Sequence, residues 1–155
     1  MSDQENTLFI DLDHGRVVIE LKPDLAPKHV ARVKELAREG FYDGIVFHRV
    51  IDEFMAQVGC PKGNGTGGSD KPDLKAEFSQ EKHVRGTVSA ARSANPNSAN
   101  SQFFICFGEA PWLNGQYSVF GKVIEGMDVV DQLEKGEPVR NPDKIVSMKV
   151  AADAA

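Results

Sequence analysis

The side chains able to do chemistry in this chain are few and scattered. His14, His29, His48 and His83 have no cysteine or histidine neighbour at a zinc-binding interval. Cys60 and Cys106 lie far apart, outside any C-x-x-C pair, and read as two reduced thiols. Glu20, Glu53 and Glu77 form no recognisable acid pair and read as surface carboxylates. No G-x-S-x-G elbow occurs, so a hydrolase triad of that kind lacks its nucleophile. Gly63, Gly65 and Gly68 match the letters G-x-G-x-x-G, but Ser69-Asp70-Lys71-Pro72-Asp73 follows. That is turn chemistry, where a dinucleotide fingerprint needs a helix to open. Neither a metal nor a cofactor is expected.

A different constellation carries more information. Phe47-His48-Arg49-Val50-Ile51 is followed by Phe54-Met55-Ala56-Gln57, then by Gln102-Phe103-Phe104-Ile105 and Trp112-Leu113-Asn114-Gly115. On a strand, residues two apart share a face. Arg49 then sits with Phe47 and Ile51, Gln57 with Met55, and Gln102 with Phe104. Each pair alone is also what a core residue beside a surface residue produces. Together they describe a shallow apolar pocket with one fixed cation and two amides on its rim. Such a pocket suits a neutral, partly apolar ligand, for example an extended peptide.

The elements that must position these residues are mostly short strands. Eight are expected, over 7–12, 16–21, 46–50, 54–58, 86–90, 103–106, 119–123 and 145–151. The first two flank Asp13-His14-Gly15, a hairpin turn in which the glycine supplies a positive φ. Two helices are expected. One covers 27–39, with Val30, Val33, Leu36 and Ala37 on one face, Pro27 in the first turn and Gly40 as its stop. The other covers 126–134, with Met127, Val130 and Leu133 on one face and Gly136 after it. Eight strands and two helices do not make alternating βαβ units. They suggest a mainly β fold: a closed eight-stranded antiparallel barrel, which abolishes edges, with two α-helices capping its open ends. Two irregular segments, 60–72 and 92–101, are rich in small polar residues, as functional loops often are.

Composition narrows the class. The 155 residues are 41% apolar and 26% charged, which suits a soluble globular chain and excludes intrinsic disorder. One domain spanning 1–155 is expected, with its core over about 7–150 and short polar tails. Phe103-Phe104-Ile105-Cys106-Phe107 is the longest strongly apolar run, far short of a membrane span. The start, Met1-Ser2-Asp3-Gln4-Glu5-Asn6, lacks the basic and apolar regions of a secretory signal, so a cytoplasmic protein is expected. A net charge of −5 with basic residues scattered among acids argues against nucleic-acid binding. No heptad seam is present, and a monomer is expected.

At these residues the sequence resembles the cyclophilin family of peptidyl-prolyl cis-trans isomerases. The likeness runs through Phe41-Tyr42-Asp43-Gly44, Phe47-His48-Arg49-Val50-Ile51, Phe54-Met55-Ala56-Gln57 and Gly63-Asn64-Gly65-Thr66-Gly67-Gly68. It continues through Asn97-Ser98-Ala99-Asn100-Ser101-Gln102-Phe103-Phe104-Ile105, Trp112-Leu113-Asn114-Gly115 and Val119-Phe120-Gly121-Lys122-Val123 to Gly126-Met127 and Val129-Val130. It covers about 7–150 and is similar to the small single-domain bacterial members. The family fold, an eight-stranded antiparallel barrel capped by two helices, agrees with the strand and helix count.

The resemblance implies roles. Arg49 matches the catalytic arginine. Phe54, Met55, Phe104 and Leu113 match the pocket for the substrate proline ring. Gln57 and Gln102 match amides that contact the peptide backbone, and Trp112 matches a groove wall. Gly65 and Ala91-Arg92-Ser93 match the groove beside the residue preceding proline. Tyr117 stands where many members carry histidine, which implies altered preference with activity kept. Arg92 replaces a small amide residue common in eukaryotic members and bears on peptide preference. Trp112 favours binding of cyclosporin. The implied function is isomerisation of Xaa-Pro bonds in unfolded or folding proteins, without a cofactor. The alternative is a proline-peptide binding module or chaperone with incidental isomerase activity; the intact Arg49 favours the enzyme, because capture of proline alone needs no cation there.

Overall fold

A computed structural model describes residues 4–153. Its eight strands are β1 (Thr7–Leu12), β2 (Gly15–Leu21), β3 (Arg49–Ile51), β4 (Met55–Val58), β5 (Thr87–Ala90), β6 (Phe103–Cys106), β7 (Val119–Glu125) and β8 (Ser147–Val150). All pair antiparallel in one sheet of order β3-β4-β6-β5-β7-β2-β1-β8. The helices are α1 (Pro27–Arg38) and α2 (Met127–Asp131). Single 3₁₀ turns lie at Gln4–Asn6, Pro111–Leu113 and Ala151–Asp153.

The expected closed barrel is not what forms. The sheet curls into a half-barrel whose edge strands, β3 and β8, share no ladder. The chain ahead of each strand bridges the seam instead. Val46 faces Lys144 in an isolated bridge, and the Phe47 and Gly44 N–H groups donate to the carbonyls of Asp143 and Ile145. Val50 spends its outward backbone groups on Gly136. The edge donors of β3 are thus satisfied by a loop, and no strand pairing is left to close the ring.

Other boundaries shift for local reasons. The third strand, expected over 46–50, reduces to Arg49–Ile51, because Phe47 and His48 leave the ladder. Phe47 consequently turns into the main core and does not share a face with Arg49. Gly15 is the first residue of β2, so the turn is Asp13-His14 alone. Glycine is needed there because a Cβ would lie 2.7 Å from Cγ2 of Val129 on α2. The second helix is five residues long, shorter than expected; after Asp131 the N–H groups of Gln132 and Leu133 donate three residues back and tighten the chain into a turn.

The main core lies on the concave face of the sheet, under α1. Tyr42, Phe47, Phe103 and Phe120 are its largest fully buried side chains. Phe103 meets Tyr42 and Phe120 edge-on, at centroid separations of 5.6 and 6.0 Å. A second, smaller cluster of Met55, Phe104, Cys106, Ala110 and Leu113 packs apart from it. Burial in that cluster pushes the Cys106 thiol up to about 12.

Helix α1 has no side-chain cap from its own N-terminus; Ala26 occupies that position. Glu77 supplies the cap from 48 and 49 residues away, accepting the N–H groups of Lys28 and His29 at 2.9–3.2 Å. The same carboxylate lies 2.6 Å from Nδ1 of His29. Its side chain is 14% exposed, so the surface carboxylate expected here is a partly buried cap. Burial works to raise the Glu77 pKa, but the hydrogen bonds from His29 and Lys28 outweigh it and hold the group below its usual 4.5. A depressed carboxylate stabilises the fold above its unfolded pKa, and that stability is lost as pH falls through the folded value. Glu77→Gln is therefore expected to cost about 1–3 kcal/mol at pH 7. The wild-type advantage in urea denaturation should shrink once pH drops below 4.5; a gap that stays constant down to pH 3 would refute the cap.

Candidate active site

Strands β4, β5 and β6 present their convex face to a shallow site. Along β4 the alternation sends Ala56 and Val58 to the main core, and Met55 and Gln57 to the other side. Along β6 it sends Phe103 and Ile105 inward and Phe104 outward. Arg49 is paired with Gln57 across the β3–β4 ladder, so their side chains emerge together.

Two adjoining cavities result. The smaller, about 130 Å³, is lined by Phe54, Met55, Phe104 and Leu113, with Arg49 and Tyr117 also on its wall. At about 30 Å³ per liquid water, this is space for roughly four waters or one small ring. The larger, about 400 Å³, is polar, lined by Gly65, Ser93, Asn100 and Gln102 among others. Gln57, Ala91 and Arg92 line both.

The polar rim is a connected chain of hydrogen bonds. Nη1 of Arg49 donates to Oε1 of Gln57 at 3.3 Å. Nε2 of Gln57 donates to Oε1 of Gln102 at 2.8 Å. Nε2 of Gln102 donates to the carbonyls of Gly65 and Gly67, at 3.0 and 2.9 Å. The glycine-rich loop is thereby tied to the arginine through two amides. Arg92 is fixed separately. Its guanidinium lies 4.5 Å above the Tyr117 ring, and it donates to the carbonyls of Gln116 and Ser93.

The residues singled out from sequence thus meet in one place, except Trp112. That side chain is 64% exposed and lines neither cavity. It stands outside Phe54, with ring centroids 5.6 Å apart.

Sequence reasoning missed the layer behind the pocket. His83 is 1% exposed and stacks on Phe104, with centroids 6.1 Å apart and planes 19° from parallel. Its N–H donates to Oδ1 of Asn114 at 2.7 Å, and its Nε2 lies 3.0 Å from Oγ of Ser89. Burial holds its pKa below the usual histidine range. His83 thus joins β5, β6 and the Pro111–Leu113 turn that carries Trp112 and Leu113. Only its isolation from other metal ligands was legible in the sequence. His48, also buried, is pushed down by burial and by the neighbouring Arg49 charge. Among the described residues, no group of three or more His, Cys, Asp or Glu side chains could hold a metal ion.

Residues 7–150 match the family model described as cyclophilin type peptidyl-prolyl cis-trans isomerase/CLD. A probable peptidyl-prolyl cis-trans isomerase of Brucella suis biovar 1 (strain 1330) is 57% identical, across 98% of this chain and 86% of that protein. A peptidyl-prolyl cis-trans isomerase of Helicobacter pylori (strain ATCC 700392 / 26695) is 41% identical, across 85% of this chain and 82% of that protein. Among solved structures, cyclophilin AquaCyp293 from Hirschia baltica superposes with a TM-score of 0.91 at 30% identity, covering 99% of this chain and 77% of that one. A cyclophilin type isomerase of Cryptosporidium parvum, crystallised in the presence of the dipeptide Ala-Pro, superposes at 0.86 with 29% identity, covering 93% of this chain and 98% of that one.

Proposed function

The chain belongs to the cyclophilin family and is a peptidyl-prolyl cis-trans isomerase; from that premise we propose that it takes the proline ring of a peptide into the pocket of Phe54, Met55, Phe104 and Leu113 and turns the preceding bond under Arg49. The observation that carries this reading is that Arg49, held by Gln57, lines the same ring-sized cavity as Phe54, Met55, Phe104 and Leu113.

The reaction breaks no bond. An Xaa-Pro amide resists rotation because conjugation gives its C–N bond partial double-bond character, with a barrier of roughly 18–20 kcal/mol. At 90° of twist the nitrogen loses that conjugation and regains a lone pair. A donor aimed at the nitrogen then binds the twisted amide more strongly than the planar one, which is the condition for catalysis. Arginine suits this, being always charged with its donors in a rigid fork. The apolar pocket holds the ring still while the preceding carbonyl swings. Gln57, Gln102 and the carbonyl of Gly65 stand where they can anchor the peptide backbone, with Ala91, Arg92, Ser93 and Tyr117 bordering the flanking residues. The exposed Trp112 beside Phe54 offers an apolar rim for larger proline-like ligands, cyclosporin among them.

Phe54→Ala tests the pocket. Phe54 is only partly buried and packs on the edge of the smaller cluster, so the fold should survive its loss. Truncating an apolar side chain of the binding surface is expected to cost about 1.5–3 kcal/mol of ring burial. KM for a short Xaa-Pro peptide should rise at least tenfold, with kcat within threefold of wild type. An unchanged KM would remove the ring from this pocket.

A further inference from the structure

Arg49 is held at two ends of its guanidinium. Gln57 accepts from Nη1, and on the other side Nε donates to Oε2 of Glu137 at 2.5 Å. Glu137 comes from the loop between α2 and β8, 88 residues along the chain. Its position is built. Gly136 pairs with Val50 in both directions, N–H to carbonyl, at 2.9 and 2.8 Å. The N–H of Val139 donates to the carbonyl of His48. The backbone on both sides of Glu137 is therefore pinned to both chain neighbours of Arg49. The loop itself turns tightly there: a Cβ on Gly136 would lie 2.8 Å from the Pro138 carbonyl oxygen. Loop and strand are packed so that one carboxylate meets one arginine.

We propose that Glu137 is a positioning residue for the isomerase reaction, fixing the Arg49 guanidinium so that its remaining N–H groups face the proline nitrogen; this rests on Arg49 being the catalytic group. A guanidinium tied only through Nη1 can still swing about its own side-chain torsions. Tying Nε as well removes that freedom. Donors aimed in advance at the developing lone pair need no reorganisation as the amide twists. Glu137 is exposed and does not line the ring pocket, so it acts through Arg49 and leaves the substrate untouched.

The test compares Glu137→Ala, Glu137→Asp and Arg49→Ala by exchange NMR on a short Xaa-Pro peptide. An exposed ion pair of this kind is worth up to about 1 kcal/mol, which converts to a loss of about fivefold. Glu137→Ala should therefore lower kcat about fivefold and leave KM within twofold. Glu137→Asp should recover part of that loss, because a carboxylate is restored. The Arg49 Nε–H resonance, assigned by its disappearance in Arg49→Ala, should move toward the free-arginine position in Glu137→Ala. Wild-type kcat in Glu137→Ala, with Arg49→Ala slowed about a hundredfold or more, overturns the positioning role. So does a rise in KM at constant kcat, which would put Glu137 against the peptide. Wild-type turnover in Arg49→Ala instead overturns the catalytic reading itself.

Discussion

Arg49→Ala is expected to lower turnover of an Xaa-Pro peptide by roughly 10²–10³, about 3–4 kcal/mol of transition-state stabilisation. The size follows from what the residue meets. Its guanidinium borders the smaller cavity, and a charge-assisted hydrogen bond to a developing lone pair is roughly twice as strong as a neutral one. The planar amide nitrogen is a poor acceptor, so little of that interaction exists in the ground state. The loss should therefore fall on kcat, with KM almost unmoved. Exchange spectroscopy on a peptide with resolved cis and trans signals reads both quantities. Near-wild-type kcat/KM in a folded Arg49→Ala protein would mean that the pocket catalyses through ring burial alone.

Phe103→Ala should produce the largest loss of stability. The ring is 1% exposed and wedged between Tyr42 and Phe120. Removing a buried phenylalanine typically costs about 3–5 kcal/mol through lost transfer energy and the cavity left behind. Urea denaturation should show a midpoint shift of that size, with activity per folded molecule retained. Phe104→Ala, one residue along, should do the reverse in kind. That ring lines the smaller cavity and is the platform for His83, so peptide affinity should collapse while the main core stays whole. Equal effects of the two substitutions on both stability and affinity would contradict the division of β6 into a core face and a site face.

That division is also where the sequence was most legible. The two-residue period of a strand is a local signal, and it put Gln57 beside Met55 and Gln102 beside Phe104, although Phe103-Phe104-Ile105-Cys106 is apolar and buried throughout. Taken together those pairs described a pocket with two amides on its rim, and the resemblance supplied the residues of its wall. The third strand was less legible, because Phe47 leaves the ladder and turns to the core while Arg49 stays in it. Contacts between residues far apart in sequence could not be read at all. Glu137 beside Arg49, Asn114 on His83 and Glu77 capping α1 depend on where the chain returns after dozens of residues. The strand count was also silent on closure. Whether β3 meets β8 is decided by the loop that reaches the edge of β3 first.

The placement of Trp112 has a spectroscopic consequence. It is the chain's single tryptophan, and its indole is largely in water in the folded protein. Its emission should already resemble that of an unfolded chain, so a red shift will be a poor gauge of denaturation. The same indole rests on Phe54, at the lip of the ring pocket. An apolar ligand that settles against that lip should blue-shift and brighten the fluorescence, making the protein's intrinsic light an occupancy signal for its own site.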